Sequence, residues 1–213
     1  MGALKTEVNR FREWANTISP EHHSGEWECG YERWADLYDA VLISMADGPP
    51  EAWTDEALQD ILYAVARDNE DEYLASEIRL RHPATLIALA RAVSTGGEAD
   101  AKWQLAEQLG HLGGSGGEVE QILLILVRDQ EEHVRRRALR ALTRIGSPEA
   151  ERLALDAWRR PDEHQKYARI MALTCLHRIS SQHLGALLDE ADRDERPYLR
   201  NCAGRIRRGE SDL

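Results

Sequence analysis

The sequence lacks the features that mark secreted, disulfide-stabilised and membrane-spanning proteins. Its three cysteines are an odd number without any Cys-x-x-Cys pair, which favours free thiols in a reducing compartment over a disulfide framework. The strongest apolar run, from Ile122 to Val127, is far too short to cross a bilayer. The first residues include no apolar segment of the kind that secretory signals have. We therefore expect a cytoplasmic protein that does not bind membranes.

Basic residues are scarce in the first part of the chain. Residues 1–100 contain 20 Asp and Glu against 8 Lys and Arg, whereas residues 101–213 contain 18 against 19. The acidic excess is densest between Glu26 and Glu77, where 15 acids accompany only two arginines. Such a surface repels phosphate groups and attracts basic proteins. We expect the partner to be a basic protein, and we expect no nucleic-acid ligand.

Strand-like alternation is also scarce, and apolar residues recur at helical spacing almost throughout. Between Ala57 and Ala66 they fall at i, i+1, i+4, i+5, i+8 and i+9, which is one face of a helix, and Thr54 is placed to cap it. Proline and glycine divide the chain into twelve helical segments with short connections. We predict an all-α fold and one continuous domain over residues 1–213.

A repeat of 33–34 residues emerges when segments of the chain are superposed. One set of positions is Val134, Ala138, Leu139, Leu142, Ile145 and Gly146. It matches Ala101, Leu105, Ala106, Leu109, Leu112 and Gly113 at an offset of 33, and Ala168, Ala172, Leu173, Leu176, Ile179 and Ser180 at an offset of 34. Each unit is a helix, a turn and a second helix. Because such a unit cannot bury its apolar face alone, neighbouring units must stack.

The segment from Asp129 to Pro148 reads Asp-Gln-Glu-Glu-His-Val-Arg-Arg-Arg-Ala-Leu-Arg-Ala-Leu-Thr-Arg-Ile-Gly-Ser-Pro. This run resembles a HEAT repeat in its short bacterial form. The resemblance implies a right-handed α-solenoid of HEAT-like helix pairs over residues 67–207. Residues 1–66 do not match, and we expect them to form an irregular helical cap. HEAT repeats are scaffolds, so the resemblance specifies a fold and only weakly a function.

The resemblance also implies roles for particular side chains. Arg135 and its counterpart Arg169 would pair with an acid near the start of a repeat, such as Asp129 or Glu163. The concave row of second helices would be a binding surface, and it is expected to include Arg91, Arg128, Arg152 and Asp156.

A zinc site is the first chemistry that the sequence suggests. His22, His23 and Cys29 could supply three ligands, with Glu26 or Glu28 as the fourth. Structural zinc sites normally have two paired clusters of ligands, however, and the sequence has no second cluster. We interpret the segment as a polar loop between helices, and we expect neither metal nor cofactor.

Other motifs also favour structural interpretations. Acid–histidine dipeptides occur at Glu21-His22, Glu132-His133 and Glu163-His164. Deoxyhypusine hydroxylase, an enzyme family of similar HEAT architecture, holds two irons with His-Glu dipeptides, but here the order is reversed. The glycine-rich run from Gly110 to Gly117 lacks the Lys-Ser/Thr of a phosphate-binding loop. The arginines between Arg135 and Arg144 lie among acids, which favours a salt-bridged helix face over a track for phosphates.

The first third of the chain combines aromatic residues with acids. Eight of the 13 aromatic residues lie in the first 63 positions. We expect Trp34, Tyr38, Val41, Leu42 and Met45 to face the core. The acids that would contact a partner are Glu26, Glu28, Glu32, Asp36 and Asp39. This composition suits an electrostatically steered interface, and it equally suits a subdomain that caps one end of a solenoid.

The sequence therefore favours a non-catalytic protein-binding module. It could be an adaptor, or an inhibitor of the immunity type that neutralises a basic partner. The alternative is a HEAT-type enzyme or lyase that acts on a modified protein or a cofactor, although no catalytic residues can be assigned.

Overall fold

The computed structural model describes residues 2–23, 27–160 and 167–210. These residues form twelve α-helices and no strand, which confirms the predicted all-α fold. Three short 3₁₀ turns lie at Pro20–His22, Trp27–Gly30 and Pro50–Ala52. None of the helices in the described part combines the length and apolarity that a bilayer crossing requires. The chain divides into two compact units, residues 1–112 and 113–213, and the single continuous domain stays a prediction.

The first unit contains six helices. They are α1 (Gly2–Ala15), α2 (Trp34–Ala46), α3 (Asp55–Arg67), α4 (Tyr73–Arg81), α5 (Pro83–Val93) and α6 (Ala99–Leu109). Helix α3 begins as predicted, because the Thr54 hydroxyl accepts a hydrogen bond from the Ala57 amide over 3.2 Å. Its apolar face is buried, and it packs against α1 and α6.

Phe11 on α1 lies at the centre of an aromatic cluster in this unit. Its side chain is fully buried, and five other rings have centroids within 6.3 Å of its own. These rings belong to Trp14, Trp27, Tyr31, Trp34 and Tyr63. Most of the early aromatic residues therefore pack inside the first unit, where they fix the short turn at Trp27–Gly30 against α1 and α2.

The second unit consists of six helices that alternate between two rows. They are α7 (Gly117–Leu126), α8 (Glu132–Arg144), α9 (Ala150–Arg159), α10 (Ala168–Arg178), α11 (Leu184–Asp192) and α12 (Pro197–Arg207). Helix α10 packs against α8 and α12, while α9 contacts α8 and α10 and α11 contacts α10 and α12. This arrangement is a stack of helix pairs, as in an α-solenoid. The positions that the repeat predicts to be buried are buried, namely Leu139, Leu142, Ile145, Ala172, Leu173 and Leu176.

The ends of α8 and α10 confirm the offset of 34 residues. Gly146 follows α8 with φ 73°, and Ser180 follows α10 with φ 54°, so both occupy the left-handed region. The next amide then closes each helix, from Ser147 to the Leu142 carbonyl over 3.0 Å and from Ser181 to the Leu176 carbonyl over 2.9 Å. Both turns are Schellman motifs, in which a left-handed residue lets the chain reverse.

The arginine at the start of α8 binds the main chain rather than an acid. The Arg135 guanidinium donates to the carbonyl oxygens of Asp129 and Gln130, over 2.8 and 2.5 Å. The Asp129 carboxylate instead accepts from the Glu131 amide over 2.9 Å. The expected Arg135–Asp129 ion pair is therefore wrong, because the carboxylate is used to cap the turn before α8.

The counterpart Arg169 does contact an acid, but one in the following helix pair. Its guanidinium lies 3.5 Å from the Asp194 carboxylate and also donates to the Trp158 carbonyl over 3.1 Å. The alternative partner, Glu163, lies outside the described residues. Ion pairing by Arg169 thus connects successive repeats. Because the acid belongs to the next repeat, the sequence of a single repeat could not predict this contact.

Candidate protein-binding surfaces

The acidic face of α2 consists of Asp36, Asp39 and Ile43 on the helix and of Glu32 in the turn just before it. The three acids are exposed, as predicted, and Ile43, one turn beyond Asp39, is 60% exposed. Arg33 lies 2.9 Å from the Asp36 carboxylate. Within the described ranges, Glu32 and Asp39 form no ion pair. This face therefore presents two uncompensated negative charges, at Glu32 and Asp39, and a large exposed apolar side chain one turn beyond Asp39.

The opposite side of α2 is anchored in the first unit. Of the predicted core-facing stripe, Val41 is fully buried and Met45 is 4% exposed, whereas Trp34, Tyr38 and Leu42 are half-buried. The Tyr38 hydroxyl donates to the Asp68 carboxylate over 2.7 Å. Because one side of the helix is held in this way, the acidic face has a fixed orientation relative to the rest of the first unit.

Glu28 does not lie on the surface with the other acids. It is only 3% exposed, and its carboxylate accepts from the Asn69 side chain over 3.4 Å and lies 3.8 Å from Arg67. Burial raises the pKa of Glu28, and the Arg67 guanidinium partly offsets this effect. The expectation of an exposed Glu28 is therefore wrong, because the turn that contains this residue packs into the aromatic cluster. Glu26 lies outside the described residues.

A buried carboxylate that the sequence did not reveal lies at Asp68. It is 2% exposed and accepts hydrogen bonds from the Tyr38 hydroxyl and, over 2.6 Å, from the Leu74 amide at the start of α4. Burial raises the pKa of Asp68 to about 6, against the lowering effect of these two donors. Through these hydrogen bonds Asp68 connects α2 to the α3–α4 connection, and it therefore helps to fix the orientation of α2.

The predicted concave row is divided between the two units. Arg91 is exposed on α5 in the first unit. Arg128, Arg152 and Asp156 line one cleft of about 130 Å³ in the second unit. Arg152 lies 2.9 Å from the Asp156 carboxylate and 2.6 Å from that of Glu149. The structure therefore brings three of the four residues together.

Several of the candidate metal ligands are engaged in other contacts. The His23 ring stacks on Trp27, with centroids 4.1 Å apart. Glu132 forms an ion pair with Arg136 over 3.2 Å, and His133 accepts from the Arg137 guanidinium over 3.0 Å. In the part of the chain that the structure describes, no three His, Cys, Asp or Glu side chains are grouped as a metal site would require. The dipeptide Glu163-His164 lies outside that part.

Comparison with known proteins identifies the repeat. A family model described as HEAT repeats matches residues 119–205, which reach from α7 into α12. A comparison with curated protein sequences finds no match. HEAT repeats generally mediate interactions between proteins. The match covers the same stack of helix pairs whose turns and buried positions repeat at 34 residues. Residues 119–205 therefore match the HEAT-repeat family, as the sequence of the repeat predicted.

Proposed function

We propose that the chain is a non-catalytic protein-binding module whose acidic face receives a basic partner protein. The observation that carries this proposal is the arrangement at α2, where the exposed Ile43 lies one turn beyond Asp39. The carboxylates of Asp39 and of Glu32, just before the helix, form no ion pair among the described residues. Binding sites for proteins combine a central apolar contact with charges that are complementary to the partner. An adaptor, or an immunity-type inhibitor that neutralises a basic protein, would use such a face.

The two kinds of side chain would contribute differently to binding. Burial of an isoleucine side chain against a partner is worth about 1.5–3 kcal/mol, and this contact would slow dissociation. The acids would mainly accelerate association, because the region from Glu26 to Glu77 has 15 acids and two arginines. The same excess of negative charge opposes binding of nucleic acids to this unit.

The proposal includes a cytoplasmic location. Cys29, Cys175 and Cys202 form no disulfide, and Cys29 is exposed. Thiols that form no disulfide are typical of proteins in a reducing compartment.

Affinity capture with two matched variants tests the proposed function. The first variant, Glu32→Lys/Asp36→Lys/Asp39→Lys, reverses the acidic face. The control, Glu13→Lys/Glu70→Lys/Glu195→Lys, makes the same change in net charge at exposed acids for which no ion pair is found among the described residues. We expect wild type and control to retain the same basic protein from the native host, and the first variant to lose it.

Equal capture by both variants would contradict the proposal. So would a captured partner that is acidic and insensitive to salt. Thermal unfolding of each variant verifies that it is folded. A metal or chromophore that copurifies in stoichiometric amount would instead support the HEAT-type enzyme.

A further inference from the structure

The cleft in the second unit is rich in arginine, although the whole chain carries a net charge of −11. We call it the arginine cleft, and its charged lining consists of Arg128, Arg135, Arg136, Arg152, Arg160, Glu132 and Asp156. The lining residues come from the end of α7, one side of α8, one side of α9 and the start of α10. The acidic character of the chain is therefore reversed at this site.

Three of the five arginines are engaged within the second unit. Arg136 pairs with Glu132 over 3.2 Å and its guanidinium lies 5.1 Å from the centre of the Tyr167 ring. Arg152 pairs with Asp156 and with Glu149, which lies outside the cleft. These pairs neutralise both acids of the lining.

The third engaged arginine, Arg135, keeps its charge uncompensated. Its guanidinium donates to two carbonyl oxygens of the turn before α8, and such groups are dipoles without net charge. Because these bonds fix the position of the side chain, Arg135 adds a fixed positive charge to the wall of the cleft.

Arg128 and Arg160 are exposed, and no acid among the described residues forms an ion pair with either of them. An arginine presents donors in a planar fork that fits a carboxylate with two parallel hydrogen bonds. Among the described residues, the cleft therefore has two guanidinium groups without an ion pair, and a third positive charge at Arg135.

The remaining lining is apolar. It includes Val127, Leu139, Leu153, Ala157, Ala168 and Met171. Of these, Val127, Leu139, Ala168 and Met171 are at most 8% exposed. An apolar floor between cationic side chains is suited to a ligand with an apolar group between anionic groups.

We propose that the arginine cleft binds an acidic segment of a partner protein, with an apolar side chain on the floor and carboxylates on Arg128 and Arg160. This inference goes beyond the proposed function, because it concerns another surface, of opposite charge and in the other unit. The two share only the premise that the chain binds proteins, so either can fail without the other.

The observations favour a peptide over a nucleic acid or a free phosphate. The apolar floor would stay uncovered beneath a phosphate group, whereas an aliphatic side chain would cover it. The net charge of −11 also repels a long polyanion more strongly than it repels a short acidic segment.

Fluorescence polarisation with a labelled synthetic peptide, Glu-Asp-Leu-Asp-Glu, tests this proposal on the full chain. The variant Arg128→Gln/Arg160→Gln removes the two available charges. The control Arg159→Gln/Arg193→Gln makes the same change in net charge at exposed arginines that do not line the cleft. We expect binding to weaken at least about tenfold in the first variant and less than about twofold in the control. Replacement of leucine by glycine in the peptide should weaken binding to the wild type.

Three outcomes would overturn the proposal. They are no binding of the peptide to the wild type, equal affinity of both variants, or equal affinity of the leucine and glycine peptides. Displacement of the peptide by oligothymidine or inorganic phosphate at lower concentration than by unlabelled peptide would identify a phosphate site instead. The proposed function is tested with other variants and with a basic partner instead of an acidic peptide, which keeps the two proposals separate.

Discussion

The Ser147 hydroxyl donates to the Glu120 carboxylate over 2.5 Å, and the same contact recurs one repeat later. There, the Ser181 hydroxyl donates to Glu151 over 2.6 Å. Each serine follows the left-handed residue at the end of a first helix, and each glutamate lies on the preceding second helix. These bonds therefore connect consecutive helix pairs at equivalent places, and they add a specific polar contact to the apolar stacking.

Removal of this contact should destabilise the second unit. Ser147 is 6% exposed, and Ser147→Ala leaves one oxygen of Glu120 without its donor. We expect the free energy of unfolding to fall by about 1–3 kcal/mol, measured by urea denaturation. A double-mutant cycle with Glu120→Ala isolates the pair. A coupling energy near zero would mean that the contact does not stabilise the stack.

Ser180 occupies a backbone conformation that suits glycine. Its φ is 54°, its side chain is exposed, and its counterpart in the preceding repeat is Gly146 at φ 73°. We expect Ser180→Gly to raise the free energy of unfolding by about 1 kcal/mol and Gly146→Ser to lower it by a similar amount. Urea denaturation of both variants verifies this. A loss of stability in Ser180→Gly would show that the serine side chain contributes more than its backbone strain costs.

Asp68 should make the stability of the first unit depend on pH. Burial raises its pKa from 3.8 to about 6, so the folded chain binds more protons than the unfolded chain between these values. The stability contributed by the protonated carboxyl is present below pH 3.8 and is lost as the pH rises through about 6. Relative to wild type, Asp68→Asn should gain up to about 3 kcal/mol between pH 4 and pH 7, at 1.36 kcal/mol for each pKa unit.

Chemical denaturation across this pH range measures the difference. The nearby Asp71 is exposed and also raises the pKa of Asp68, so Asp71→Asn serves as the control, with a smaller effect of the same sign. A constant difference between Asp68→Asn and wild type at all pH values would contradict a raised pKa. Glu28 also has a raised pKa and titrates in both proteins, so it cancels in the comparison.

The regular features of the fold could be predicted because they depend on local sequence. Helix ends follow from Thr54 and Gly146, and burial of Leu142 and Leu176 follows from the spacing of apolar residues. The same spacing placed Asp36 and Asp39 on the exposed side of α2, whereas the equally exposed Glu32 lies in the turn before the helix begins.

Other features depend on contacts between residues far apart in the sequence. Glu28 is buried because its turn packs into a cluster centred on Phe11, and its flanking residues Trp27 and Tyr31 were the available signal. The Arg169–Asp194 contact spans 25 residues and exists only once repeats have stacked. Local periodicity contains no information about which acid an arginine will reach across such a distance.

Association kinetics between the chain and its captured basic partner test the central claim most directly. Surface plasmon resonance would measure the on-rate from about 50 to about 500 mM salt, a range over which screening of exposed charges becomes nearly complete. We predict a steep fall for wild type and for Glu13→Lys/Glu70→Lys/Glu195→Lys. For Glu32→Lys/Asp36→Lys/Asp39→Lys we predict a low on-rate that salt hardly changes, with thermal stability close to wild type. An unchanged on-rate and salt dependence in that variant would contradict the account and exclude the acidic face of α2 as the contact surface.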